Sequence, residues 1–491
     1  MNRLTVSQRK MVYAGLILVL FVAIIYLGAP PTAAAPSGTG GTPEAGVPST
    51  PGLQSLLAAS RMKHDLGEAS LGDVDPSSST LNLVLLGMRG VAASVLWSQA
   101  DYLKERKKFT ELKETVESII LLQPHFKTVW RYQAWVLAYN VSAECDAVED
   151  RYFWVKQGAK FLKRGVNRNR LIPELPFDMG TFLGTKIGLA DEAESYQEFF
   201  LHDPDTDVWN GGPDEDINPN GQDHYLVARD WYFRANDVLE NKGVKQHVMD
   251  LALFIAYPYR SLMSYAKNLQ KAGVKGDREN MTAEQLQDAF KQWSQSVRSA
   301  WDQAYDEWVN IYGRQKFESA GFGMLVLEND EAGLKELAEI AKAENESFEQ
   351  KKDWQDRYRK LTSYPYWKLH CDIERRELMT QARFHLAEGR RLYREVQDLE
   401  GAKANLEAGL AAMELVVRAY QVSPDFNILV SDEEEIVEES LKAMLIWRQV
   451  KELLNEPIPE NYPLKPLWED PSLENMRQEL TVKFHHWNGS L

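Results

Sequence analysis

Apolar side chains recur along most of this chain at spacings of three and four, seldom at two. The longest stripe carries Leu286, Phe290, Trp293, Val297, Trp301, Tyr305, Trp308 and Ile311, and a second carries Leu399, Ala402, Leu406, Leu410, Met413, Val417 and Tyr420. Shorter ones run through Tyr366, Leu369 and Ile373, then Ala382, Leu386, Gly389, Tyr393 and Val396, with Tyr364-Pro365 as the break before them. Such spacing turns one side of a 3.6-residue helix toward a core, and no series of alternating strands competes with it. The pattern predicts an all-α body.

One segment departs from amphipathic spacing. Met11 to Ala29 is a run of nineteen positions without a formal charge, placed after Arg3, Arg9 and Lys10 and before a proline-rich stretch. As a helix it would be about 28 Å long, close to the hydrocarbon thickness of a bilayer. A cleaved secretory signal is the competing reading, because Ala33, Ala34 and Ala35 offer small residues for a cut. Signal cores run to about 7–15 residues, and Pro36 stands directly after that cut, so a retained anchor is favoured. On either reading the basic flank keeps residues 1–10 in the cytosol and sends the body outside.

Pro30 to Gly52 holds six prolines, five glycines and the single charge of Glu44, the composition of a tether. Leu81 to Leu96 is apolar, but Arg89 lies within it and Asn82, Ser94 and Gln99 are close by, so a buried soluble helix is expected there. The expected division is a cytosolic N-terminus over 1–10, a transmembrane anchor over 11–29, and a linker over 30–52. A helical-hairpin region follows over 53–200, then an acidic irregular loop over 201–224. A helical region over 225–455 has a repeat-like pair near 380–426, and 456–491 forms a C-terminal tail.

Trp97, Ala100 and Leu103 share a helical face, Leu112, Val116 and Ile119 follow on the next helix, and Pro124 closes the pair; Ala134 comes 34 residues after Ala100. A small residue in the first helix and a proline after the second, at that period, resemble the tetratricopeptide repeat. Gly158, not proline, falls at the second closing position, so the repeat is divergent. Gly389, Tyr393, Ala402 and Leu406 repeat the spacing in longer helices, and Ser423-Pro424-Asp425-Phe426 echoes Gln123-Pro124-His125-Phe126. Generic helical hairpins account for the same pattern. Leu122 to Ser142 (LQPHFKTVWRYQAWVLAYNVS) and the RYFWVKQGAKFLKRGVNRN that starts at Arg151 resemble uncharacterised, membrane-anchored helical proteins of planctomycete-type bacteria. Some of those carry an iron-responsive-element label. The resemblance implies an envelope location and no catalytic residues.

Composition narrows the partners. The formal net charge is -16, and the portion beyond residue 29 carries -19, because the first 29 residues hold three basic groups and no acid. A nucleic-acid partner is disfavoured, since phosphate binding draws on basic surface. Cys145 and Cys371 belong to no metal-ligand spacing; buried free thiols are expected, with one bridge as the alternative. Fourteen tryptophans suit sugar stacking, yet Trp130, Trp293, Trp301 and Trp308 fall on apolar stripes and read as core.

The strongest local anomaly is His202 to His224, HDPDTDVWNGGPDEDINPNGQDH. Asp216, Asn218 and Asn220 followed by Gly221 repeat the D-x-N-x-N-G opening of calcium loops, where alternate oxygens converge on a hard cation, and Asp223 could add a carboxylate. Val227 stands where the closing bidentate acid belongs, so a solvated, turn-rich connection is the default and calcium the exception. Asp203, Asp205 and Asp207 alternate too, but Val208 replaces the turn glycine. The adjacent His485-His486 and His370-Cys371 lack further nearby ligands, and the acids from Asp432 to Glu435, with Glu438 and Glu439, read as a helix start. No nucleophile elbow, Walker loop or dinucleotide fingerprint occurs. These features predict a membrane-tethered, extracytoplasmic helical scaffold that binds a protein partner. The alternative is an envelope enzyme acting on polysaccharide through two converging carboxylates.

Overall fold

The computed structural model describes residues 89–246, 248–274, 281–319, 321–420 and 434–486, and they are mostly helical. The expected anchor and tether, and the Ser423–Phe426 echo, lie outside them. Among the described residues no helix is long and apolar enough to cross a membrane. The chain divides into two compact units; the described part of the first comprises residues 89–130 and 164–171, and the second takes the rest.

In the first unit α1 (Arg89–Glu105) and α2 (Phe109–Leu122) form a hairpin. Leu112, Val116 and Ile119 of α2 and Ala93, Ala100 and Leu103 of α1 are buried. The buried helix expected over Leu81–Leu96 is corrected in its described part. Val91 and Val95 are 60% and 63% exposed, because the inward face follows Ala93 and Ala100. Trp130, near the start of α3 (Lys127–Trp135), is buried and its Nε1 donates to the Pro124 carbonyl at 2.9 Å. Pro124 thus ends α2 and anchors the next indole.

In the second unit α4 (Val148–Arg168), which begins there, is followed by α5 (Glu174–Phe182), α6 (Ala193–Leu201), the single turn α7 (Thr206–Trp209) and α8 (His224–Lys242). Phe177 stacks on Phe254 and meets Tyr232 edge-on. Then come α9 (Leu251–Ala272) and α10 (Ala283–Asp306), whose start is fixed by reciprocal hydrogen bonds between Thr282 and Gln285. The predicted stripe of α10 holds as far as Trp308, but Ile311 is 50% exposed and Tyr312 is buried in its place. A π-helical turn over Glu307–Ile311 is the reason, since an i→i+5 turn rotates the following side chains off the 3.6-residue phase. Tyr312 then donates to the Ala252 carbonyl at 2.8 Å.

A short hairpin, β1 (Phe317–Ser319) and β2 (Gly323–Leu325), pairs antiparallel with Phe317 opposite Leu325. Three-residue strands are too brief to register as alternation. The chain continues through α11 (Glu331–Ala343), α12 (Phe348–Leu361), α13 (Tyr364–Glu374), α14 (Glu377–Arg391) and a π turn over Leu392–Val396. It ends with α15 (Leu399–Tyr420), α16 (Glu434–Leu453), α17 (Lys465–Trp468) and α18 (Glu474–His486). Helices α14 and α15 pack through reciprocal glycines: a Cβ on Gly389 would lie 2.7 Å from Leu406, and one on Gly409 would lie 2.7 Å from Leu386. The expected tail folds back, burying Leu473, Leu480 and Phe484 in the same core as Leu406 and Trp447. Both cysteines are free; Cys371 is buried and Cys145 half-buried.

Candidate functional site: a paired acidic loop and a cation-lined cavity

Helix α4 sets Lys156, Lys160 and Lys163 at i, i+4 and i+7, one face of a helix, and the acidic loop lies over that face. Lys156, 4% exposed, donates to the two Asp203 oxygens at 3.0 and 2.8 Å, and its Nζ is 3.4 Å from Asp214. Lys160 lies 2.8 Å from Asp214 and 2.8 Å from Asp216, and Lys163 donates to the Asp216 carbonyl at 2.5 Å. The hydrogen bond from Lys160 leads in holding the Asp216 carboxyl below its ordinary range. Burial, reinforced by Asp203 and Asp214, pushes the enclosed Tyr152 hydroxyl well up. This loop is organised by ammonium groups that the chain supplies itself.

Three of the four residues proposed for calcium have partners within the chain, and the fourth is exposed. Asp216 pairs with Lys160. Asn218 is fully buried; its Oδ1 accepts from the Gln222 N–H at 2.9 Å, and its amide donates to the Phe200 and Gln222 carbonyls. Asn220 faces solvent. Asp223 caps α8 by accepting from the Tyr225 N–H at 2.8 Å, and its second oxygen accepts from Asn268 at 3.0 Å. Asp216, Asn218 and Asn220 therefore share a loop in which Asp216 and Asn218 already have partners within the chain. Among the described residues no group of three or more His, Cys, Asp or Glu is placed to hold a metal ion. His370 sits edge-on to Trp301 and Trp367, and burial lowers its pKa and raises that of Cys371, so the pair is built into the core.

A cavity of about 290 Å³ opens among α9, α10, α13, α14 with its π turn, and α16. Its walls carry six cationic and four carboxylate side chains, in a chain whose net charge is -16. Glu374, on α13, is buried and accepts from Arg383 at 2.5 Å and from Gln270 at 3.0 Å; Gln270 in turn accepts from Trp301 Nε1 at 3.0 Å. Burial pulls the Glu374 carboxyl upward, but Arg383 and His370 outweigh it and hold it below its ordinary range. Arg383 also pairs with Glu439, Lys267 with Glu435, and Arg391 with Glu388 at 2.8 Å.

Arg390 is different. Its side chain is half-buried, its Nε is sealed from solvent without a hydrogen-bond partner, and among the described residues its charged neighbours are Arg383 and Arg394. Burial, then the positive charges of Arg383 and Arg394, lower its pKa to about 10. Exposed Lys271 and Arg394 line the same cavity, likewise without a partner among the described residues, and Glu395 is the one lining carboxylate in that condition. The π turn over Leu392–Val396 carries Arg394 and Glu395. Sequence reasoning did not find this site, because arginines on α14 read as a polar face. The signal was present: Arg391 has Glu388 one turn away, whereas Arg390 has Leu386, Ala387, Tyr393 and Arg394 at its helical neighbour positions. No known protein family, curated protein or solved structure matches this chain.

Proposed function

We propose that this chain is a membrane-tethered, extracytoplasmic helical scaffold that acts by binding, with its N-terminus in the cytosol and no role for nucleic acid. The observation that carries the reading is the condition of its buried carboxylates. Glu374 is tied to Arg383, Asp203 and Asp214 to Lys156, and Glu328 to Lys368 and Tyr364. Against the upward pull of burial, Lys368 and Tyr364 hold Glu328 below its ordinary range. Polysaccharide hydrolysis needs one carboxyl kept protonated opposite an ionised one. The lining acids of the cavity are instead paired with cations or exposed, which favours binding over the alternative of an envelope enzyme. Reciprocal glycine packing in α14 and α15 supports the tetratricopeptide-like hairpin reading of that region, a design that leaves helix faces open to a partner.

Protease added to intact spheroplasts should digest the body, and protection of the whole body there overturns the placement. Release of reducing ends from purified envelope polysaccharide by the wild type, abolished in Glu374→Gln, would replace the scaffold with the enzyme.

A further inference from the structure

We infer that the cavity beside α14 is an anion-binding site in which the Arg390 guanidinium, supported by Arg394 and Lys271, holds a phosphate-type oxyanion. A guanidinium partly withdrawn from water without a counter-charge is costly, and is retained where something repeatedly supplies that charge. Arg390 meets this description: its side chain is half-buried, its Nε is sealed, and its charged neighbours are arginines. Its planar fork matches two oxygens of a tetrahedral anion.

Charge selects the class. Around the cavity Arg383 is met by both Glu374 and Glu439, Lys267 by Glu435 and Arg391 by Glu388, which leaves Arg390, Arg394 and Lys271 with Glu395. Six cations against five carboxylates leave one positive charge in surplus, which selects an anion, and three cationic donors around one cavity suit the several oxygens of a phosphate-type head better than the two of a carboxylate. The volume of about 290 Å³ sits at the small end of ligand sites, about 300–1,000 Å³, and so suits a compact head. Such a head occurs on soluble phosphate esters and on phosphatidic acid; the chemistry is shared.

The test uses the full chain in a neutral detergent, titrated calorimetrically with inorganic phosphate. Wild type should give saturable heat, Arg390→Gln should bind about tenfold more weakly, and Lys483→Gln, at the far end of α18, should match wild type. Circular dichroism melts establish that the variants are folded. Should Arg390→Gln fail to fold, Arg394→Gln takes its place, since it is exposed and has no partner to lose; about threefold weaker binding supports the site and unchanged binding overturns it. No saturable heat in wild type up to about 10 mM phosphate, or equal binding by wild type and a folded Arg390→Gln, also overturns it. Acetate binding as tight as phosphate would overturn the phosphate-type assignment. Displacement by glycerol 3-phosphate marks a soluble ester and displacement by phosphatidic-acid micelles marks a lipid head, either one supporting the site, whereas equal displacement by phosphatidylcholine micelles refutes it.

Discussion

The acidic loop over residues 202–223 and the cavity beside α14 use charge in opposite ways. In the loop Asp203, Asp214 and Asp216 each meet a lysine of α4, so the chain closes its own account of charge within one helix face and one connection. In the cavity Arg383 and Arg391 are matched in the same manner, but Arg390 stands between them with cations for neighbours. The loop is the more eye-catching feature in the sequence and the better explained one in the structure. A charge that the fold has answered is evidence about folding; a half-buried charge that it leaves unanswered is evidence about something the fold holds.

The largest effect that could break this contrast is at Lys156. Lys156→Met removes the cation between two buried carboxylates, and stripping one partner from a buried pair costs about 3–5 kcal/mol. Urea unfolding followed by tryptophan fluorescence measures it. A loss below about 1 kcal/mol would mean that the loop does not depend on its ammonium groups.

His224, where the loop enters α8, sharpens the contrast through pH. Its ring is buried beside Tyr225 and Phe200, and burial, opposed by Asp223, lowers its pKa from 6.5 to about 4. The unfolded chain therefore takes up a proton at a pH where the folded chain does not. Stability that is fully present above pH 6.5 falls as pH drops toward 4, by up to about 3 kcal/mol. His224→Gln should flatten the unfolding midpoint across that window. An unchanged slope in the variant would assign the acid sensitivity to another group.

Arg390 should behave oppositely to Lys156. Arg390→Met deletes a charge that the fold itself does not use and leaves its apolar stem, so the unliganded protein should gain about 1–2 kcal/mol in phosphate-free buffer. Added phosphate should raise the melting temperature of wild type and leave the variant where it was. Destabilisation by Arg390→Met in phosphate-free buffer would make Arg390 a structural residue and erase the difference between cavity and loop.

Helix identity was legible in the sequence because burial on one face writes a period into it. Leu406, Leu410 and Met413 are buried as their stripe predicts, and so are Val297, Trp301 and Trp308. The phase failed at Ile311, since a π turn adds a residue to one turn and leaves no mark in apolar spacing. The folded C-terminus was also illegible: Leu464, Leu473, Leu480 and Phe484 lie on short elements and gain their burial from contacts distant in sequence. Site chemistry was less legible still. Asp216, Asn218 and Asn220 have the alternation of a cation loop, but what decides their role is Lys160, which lies 56 positions before Asp216, and the Gln222 N–H, which the Asn218 side chain accepts. Arg390 is conspicuous only once the absence of a helical acid neighbour is joined to its sealed Nε.

The smallest effect expected is at Asp216 itself. Its carboxyl is 62% exposed and meets Lys160 at the surface, where an ion pair contributes about 0–1 kcal/mol, so Asp216→Ala in calcium-free buffer should shift the urea midpoint barely or not at all. Calcium makes the measurement decisive. A loop whose Asn218 oxygen accepts from Gln222 and whose Asp223 caps α8 has little coordination to offer without rebuilding, and any site there falls in the extracellular range of about 0.1–1 mM. Wild type and Asp216→Ala should therefore give the same heat when titrated with millimolar calcium. Heat that wild type shows and Asp216→Ala lacks would mean that the loop opens to a metal ion, that Lys160 is displaced from Asp216 when it does, and that the loop, like the cavity, keeps charge for a ligand.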